Sequence, residues 1–285
     1  MTFAISLIAA VMYGLSSARL SRALGDRLQP GNQLDAAGSA SWPTGPSPAN
    51  SPGSRRRTTL MLTTAALVLH GWVVFRQSGM PGSLSLPLFT SIAATTLAIV
   101  LLHIVLCLKQ PADYLGIALY PIAAVSLLAS QWSTGGTAVI GHAVQFHVFL
   151  SLLSYAVLAL AAAQAMLVSI QRHFLSRHKP GGLIRALPPL DTTERLLFTL
   201  LTAGFILLSL SLASGFFYLE DMFHQRLVHK TVLSCTGWAV FAVLLFGRWK
   251  FGWRGKKAVH WTLAGFGILV LAYFGTKIII EVILR

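Results

Sequence analysis

Residues 142–156 read HAVQFHVFLSLLSYA. Two histidines, His142 and His147, open a stretch that stays apolar to about residue 170, with Ser151, Ser154 and Tyr155 following. At 3.6 residues per turn, His147, Ser151 and Ser154 fall on one face of a helix. A run this long and this apolar is a membrane-crossing helix. A polar stripe inside such a helix is unfavourable unless it faces protein or a bound group. The stripe therefore predicts a partner, either a neighbouring helix or a ligand, and with it a bundle rather than a lone anchor.

Working outward, the whole chain has the same character. Of its 285 residues 55% are hydrophobic and 11% charged, and the mean hydropathy is +0.69. Soluble domains carry about 25% charged residues. The reading is an all-α, polytopic integral membrane protein. Eight segments cross, at about 2–18, 58–75, 84–108, 114–130, 143–170, 196–219, 228–247 and 258–281. The net charge of +14 does not point to nucleic acid, because the basic residues sit between apolar runs. Sorted by side, the loops after segments one, three, five and seven hold 17 of the 22 Lys and Arg, and the other side holds five. The positive-inside bias then places both termini outside. The first segment lacks a basic leader, and Arg19, Arg22 and Arg27 follow it, so it reads as an uncleaved anchor. Residues 30–54 are rich in Pro, Gly, Ser and Ala, which predicts a disordered cytoplasmic linker. Arg55–Arg57 reads as a stop against an anionic leaflet.

Several residues stand out against the apolar background. His70 and His103 lie within segments two and three and read first as helix ties. Pro121 predicts a kink or an opened backbone in segment four. Trp132 is an interfacial anchor that also stands beside the His142/His147 mouth, where it is placed to cover a flat ligand. His173 and His178 lie in a basic loop. Asp191–Arg195 (DTTER) predicts a helix cap at Asp191 or Thr192, with Glu194 in the first turn. Gly204, Ser209, Ser211, Ser214 and Gly215 predict close helix packing. Cys107 and Cys235 form no CxxC or CxxCH spacing, which argues against disulfides and covalent haem attachment. No catalytic motif stands in a credible context, so the chain reads as a non-enzyme. What remains is His147 and His229, at the outer ends of two helices. Imidazole suits an axial haem ligand, while the same spacing fits a proton pathway or a transporter cavity. Facing polar stripes, Ser151 and Ser154 behind His147 and Thr236 behind His229, predict that the two histidines share one ligand.

The stretch HVFLSLLSYA (147–156) resembles the first outer haem-ligand region of the CcsA/CcmC-type cytochrome c assembly proteins, where a His stands seven residues before SYA. The likeness continues through Gly204–Phe205 and Ser214–Gly215 and ends with GKKAVHWTLAGFGILVLAYFG (255–275), covering about 145–281. Lys230 and Trp238 keep the family's Lys-to-Trp spacing. The stretch before them reads FHQRLVHK, the family's WxWD element is gone, and His229 stands where a proline would be. Positions of other family histidines fall near Phe246 and Leu284. The pattern is similar to the HemX/YpjD-like branch. The resemblance implies a non-catalytic, haem-handling protein of the bacterial inner membrane, holding haem b near the outer face. In that reading His147 is the first candidate ligand, His229 the second, and Trp132 a shield. Other cytochrome-assembly membrane proteins are the implied partners. A small-solute transporter and a cofactor-free structural subunit remain the alternatives.

Overall fold

The computed structural model describes residues 1–26, 52–78, 83–84, 87–110, 112–133, 138–139, 142–176, 187–218 and 228–275. Expectations that rest on the remaining residues, including the 30–51 linker, His178 and Leu284, lie outside them. Side chains at 142–143 and 228–229 are outside the description as well.

Among the described residues there are eight helices long and apolar enough to cross a membrane. They are α1 (Thr2–Asp26), α2 (Pro52–Gln77), α3 (Leu88–Lys109), α4 (Gly116–Ala129, extended to Asp113–Trp132 by flanking 3₁₀ turns), α5 (His142–Ser176), α6 (Leu190–Tyr218), α7 (Val228–Phe251) and α8 (Lys256–Val270, continued to Gly275 by a π turn). The chain is thus an all-α, multi-pass membrane protein. The one extended element among the described residues is a two-residue antiparallel ribbon, Ser83↔Val139 and Leu84↔Ala138.

Most helices outrun the expected segments, because backbone in and near a bilayer gains by staying helical after the side chains turn polar. At α2 this changes a reading. Residues 52–54 are helical rather than linker, and the arginines are used within the bundle. Arg55 pairs with Asp26 at 2.8 Å, and Arg56 pairs with Asp113 at 3.2 Å. Likewise α6 starts at Leu190, so Asp191 sits in its first turn and binds Arg195 at 2.6 Å rather than capping the helix. Glu194 is buried and faces Arg172 of α5 at 3.4 Å.

Helix packing divides the bundle into α1–α4 and α5–α8, joined chiefly where α3 meets α5. The most extensive contact is between α5 and α6. Gly204 makes it possible, since a Cβ there would lie 2.6 Å from Leu158 Cδ2. In the first half Pro121 sits inside α4. A proline supplies no N–H to the carbonyl four residues earlier, here that of Ile117. Ser17 of α1 donates to that carbonyl at 2.9 Å. A carbonyl left bare in hydrocarbon is strongly disfavoured, so the proline and the serine on different helices act as a pair.

The two intramembrane histidines of this half are helix ties, as read from the sequence. His103 is fully buried, with Nε2 3.1 Å from Ala112 O and Nδ1 3.2 Å from Tyr120 Oη. The carbonyl can only accept, so Nε2–H donates to it and Tyr120 donates to Nδ1. His70 is also fully buried and meets Tyr13 Oη at 3.3 Å through Nδ1.

Candidate functional site

His147 stands in the first turns of α5, half-buried, against α6. Its Nδ1 is 3.0 Å from Ser211 O and 3.0 Å from Ser214 Oγ. Ser214 donates its own hydroxyl to the same Ser211 carbonyl at 2.8 Å. A carbonyl has no proton to give, so Nδ1 carries the hydrogen and Nε2 is left with its lone pair. Ser151 Oγ stands 3.5 Å from that nitrogen, bonds back to His147 O at 2.8 Å and reaches Ser211 Oγ at 2.7 Å. One turn on, Ser154 is fully buried and directs its hydroxyl to Gly204 O at 3.4 Å. The stripe His147–Ser151–Ser154 therefore exists, and its partner is α6.

That finding corrects the expected pairing of stripes. The α5 stripe is met by Ser211, Ser214 and the Gly204 carbonyl, residues that the sequence marks only as small. Thr236 does not face the site. It is exposed and bonds back to Val232 O at 2.8 Å. Position 229 is helical in its backbone, and α7 contributes Lys230, Thr231 and Ser234 to the site.

Together these helices enclose a cavity of about 270 Å³. His147, Ser151 and Tyr155 form the α5 wall, Ser211 and Gly215 the α6 wall, and Tyr273 the side from the end of α8. Thr95 of α3 reaches in from the other half of the bundle. Lys230 is the cationic side chain in this lining. Trp132 is 69% exposed in the turn after α4 and is not among the lining residues.

The α8 side owes its shape to a backbone irregularity. Residues Leu271–Gly275 form a π turn, which shifts the helical hydrogen bonds by one residue. Tyr155 Oη donates to the Leu269 carbonyl just before it, at 3.0 Å, and the Tyr155 and Tyr273 rings lie 5.7 Å apart. Trp238 of α7 locks onto α6, stacking on Phe205 at 5.4 Å and 24° and donating Nε1–H to Ser209 Oγ at 2.8 Å. The Lys230-to-Trp238 spacing thus joins a cavity residue to an anchor two turns away. No cluster of three or more His, Cys, Asp or Glu side chains that could hold a bare metal ion occurs among the described residues.

Sequence reasoning found His147, Ser151 and Ser154, and it singled out Lys230. It missed Thr95, Thr231 and Tyr273. Of these, only Tyr273 left a visible mark, as part of the 255–275 stretch that resembles a last family helix.

Comparison with known proteins gives a consistent picture. A family model described as cytochrome C assembly protein matches residues 57–284. It thus extends well before the region where the sequence likeness was legible. The inner membrane protein YpjD of Escherichia coli (strain K12) is 37% identical over 166 residues, which is 58% of this chain and 62% of that protein. The cytochrome c biogenesis protein CcsA of Prochlorococcus marinus (strain NATL1A) is 27% identical over 103 residues, 34% of this chain and 33% of that one. Protein HemX of Brevibacillus brevis is 24% identical over 131 residues, 45% of this chain and 48% of that one. The chain thus spans less than two thirds of the length of each of these relatives. No solved structure matches it.

Proposed function

Because this chain belongs to the cytochrome c assembly protein family, we propose that it handles haem without catalysis in a bacterial inner membrane, binding or presenting it through His147. The carrying observation is the 3.0 Å contact of His147 Nδ1 with the Ser211 carbonyl, from which the tautomer of His147 follows. Its Nδ1–H is committed to the Ser211 carbonyl, which leaves Nε2 as a neutral imidazole donor beside the cavity. Metal-ligating histidines characteristically donate their second ring nitrogen to a carbonyl or carboxylate, which fixes the ring and raises its basicity. The surrounding residues offer contacts to one edge of a porphyrin as well. Tyr155, Tyr273 and Leu208 offer apolar surface, while Lys230 offers a cation to a propionate. Iron held by such a group would need only axial nitrogen from the protein.

Haem b, held without covalent attachment, is the proposed form, since Cys107 and Cys235 give no CxxCH spacing. His229, at the start of α7 one residue before Lys230, is the second candidate ligand, and Trp132 is a candidate cover. Both follow from the sequence rather than from the cavity wall. Partners are proposed among other cytochrome-assembly membrane proteins, on the strength of the family.

The test is visible spectroscopy of the detergent-purified protein, as isolated and after reduction. The expected result is a Soret band that His147→Ala abolishes while the far-UV helical signal is retained. His229→Ala reports separately on the second axial position, and His103→Ala should leave the band in place. A wild-type protein that binds no added haemin would overturn the reading.

A further inference from the structure

The start of α6 and the basic end of α7 meet around a second cavity, widely open to the outside of the bundle and of about 780 Å³, at the opposite end of the bundle from His147. Phe198 and Thr202 of α6 and Leu245 of α7 form its wall, while Arg248, Trp249 and Arg254 stand around it. We propose that this cavity is a binding site for an anionic phospholipid. Arg248 and Arg254 would take the headgroup phosphate, and the Phe198–Leu245 wall would take the first methylenes of an acyl chain.

The charge arrangement is the first argument. Arg248 has no carboxylate within 4.0 Å among the described residues. Its guanidinium lies over the Phe198 ring, 4.6 Å from the centroid, and one nitrogen reaches the Trp253 carbonyl at 3.5 Å. Stacking holds the plane of the group and leaves most of its five donors unspent, the geometry that grips phosphate in a bidentate way. Arg254 is 3.9 Å from Asp191, a carboxylate that Arg195 already binds at 2.6 Å. The stretch 248–257, RWKFGWRGKK, adds Lys250, Lys256 and Lys257 and contains no acidic residue.

The backbone holds this arrangement in place. Gly252 and Gly255 both have positive φ, 65° and 61°, which lets the chain reverse tightly between α7 and α8. At Gly255 a Cβ would stand 2.5 Å from the Arg172 guanidinium. Arg254 is thereby brought back over the start of α6.

Position selects a lipid over a soluble phosphate. The cavity lies where two membrane-crossing helices end; Trp249 of its lining is 81% exposed, and Phe246, packed against Trp249 with ring centroids 6.1 Å apart, is 54% exposed. Exposed aromatics at a helix end belong to the interface, at headgroup depth. Basic pockets between transmembrane helices at this depth recognise lipid phosphates. A soluble anion would have no use for the Phe198–Leu245 wall.

The experiment uses the full-length protein in a mild detergent, titrated with phosphatidylglycerol or phosphatidylcholine and read by native mass spectrometry. Wild type is expected to retain phosphatidylglycerol at least about tenfold better than phosphatidylcholine. Arg248→Gln with Arg254→Gln should lower phosphatidylglycerol retention by about 25-fold, roughly fivefold for each basic residue beside an anionic lipid. Millimolar inorganic phosphate should not displace the lipid. Equal retention of the two lipids by wild type overturns the proposal whether or not the double variant folds. So does unchanged phosphatidylglycerol retention in a folded double variant. Displacement by inorganic phosphate would identify a soluble-anion site instead.

Discussion

At the scale of single residues, the decisive features are hydrogen bonds that repair or commit a backbone group. Ser17 supplies to Ile117 the proton that Pro121 withholds. Ser17→Ala is therefore expected to destabilise the bundle by about 0.5–2 kcal/mol, measured as a shift in an SDS-unfolding midpoint. Pro121→Ala in the same background restores a helical donor to Ile117 and should recover most of that loss. Tyr155 supports the Leu269 carbonyl in the same way, beside the π turn. His147 is the opposite case, a side chain whose one committed nitrogen defines what the other can do. Its position was legible, because a histidine at the mouth of an apolar helix is conspicuous. Its tautomer was not, since that depends on a carbonyl 64 residues away.

At the scale of elements, the α5–α6 pair carries the site. Gly204 faces Leu158 with no room for a Cβ, and the same approach puts Ser151 within 2.7 Å of Ser211. Gly204→Leu is expected to cost about 1–3 kcal/mol through overpacking and to separate the two serines. The check is a thermal unfolding midpoint together with the haemin titration of the variant, both of which should fall. The conservative Gly204→Ala should do less. Here the sequence identified the small residues correctly but assigned the α5 stripe to the wrong neighbour. Periodicity shows that a face is polar, and it carries no information on which helix covers that face.

At the scale of the whole molecule, the predictions concern topology and the chain between α1 and α2. Reporter fusions after Arg57, within 175–190 and after Lys257 should report cytoplasm, and one at Arg285 should report the outside. A cytoplasmic C-terminus would contradict the 17-to-5 distribution of basic residues. Replacing residues 30–51 with a Gly/Ser linker of equal length should leave expression and any haem signal intact. Their composition offers little apolar area to offset chain ordering. The graft must stop before Pro52, since α2 begins there and Arg55 and Arg56 hold Asp26 and Asp113.

The sequence by itself determined the fold class and the number of crossings, because transfer of about 20 apolar residues into hydrocarbon is a local, additive property. It also determined that His147 heads a polar stripe and that 145–281 resembles cytochrome c assembly proteins, while for His70 and His103 it favoured helix ties, which the contacts to Tyr13 and Tyr120 then supplied. Only the tertiary structure decided that α6 rather than α7 meets that stripe, that Thr95 of α3 enters the cavity, and that Ser17 completes α4. Each of these is a pairing between residues far apart in the chain. In a bilayer the lipid is as apolar as the helix surfaces, so bulk hydrophobicity does not choose helix neighbours. Shape at glycines such as Gly204 and hydrogen bonds at serines such as Ser211 make the choice, and both exist only once the helices are in contact.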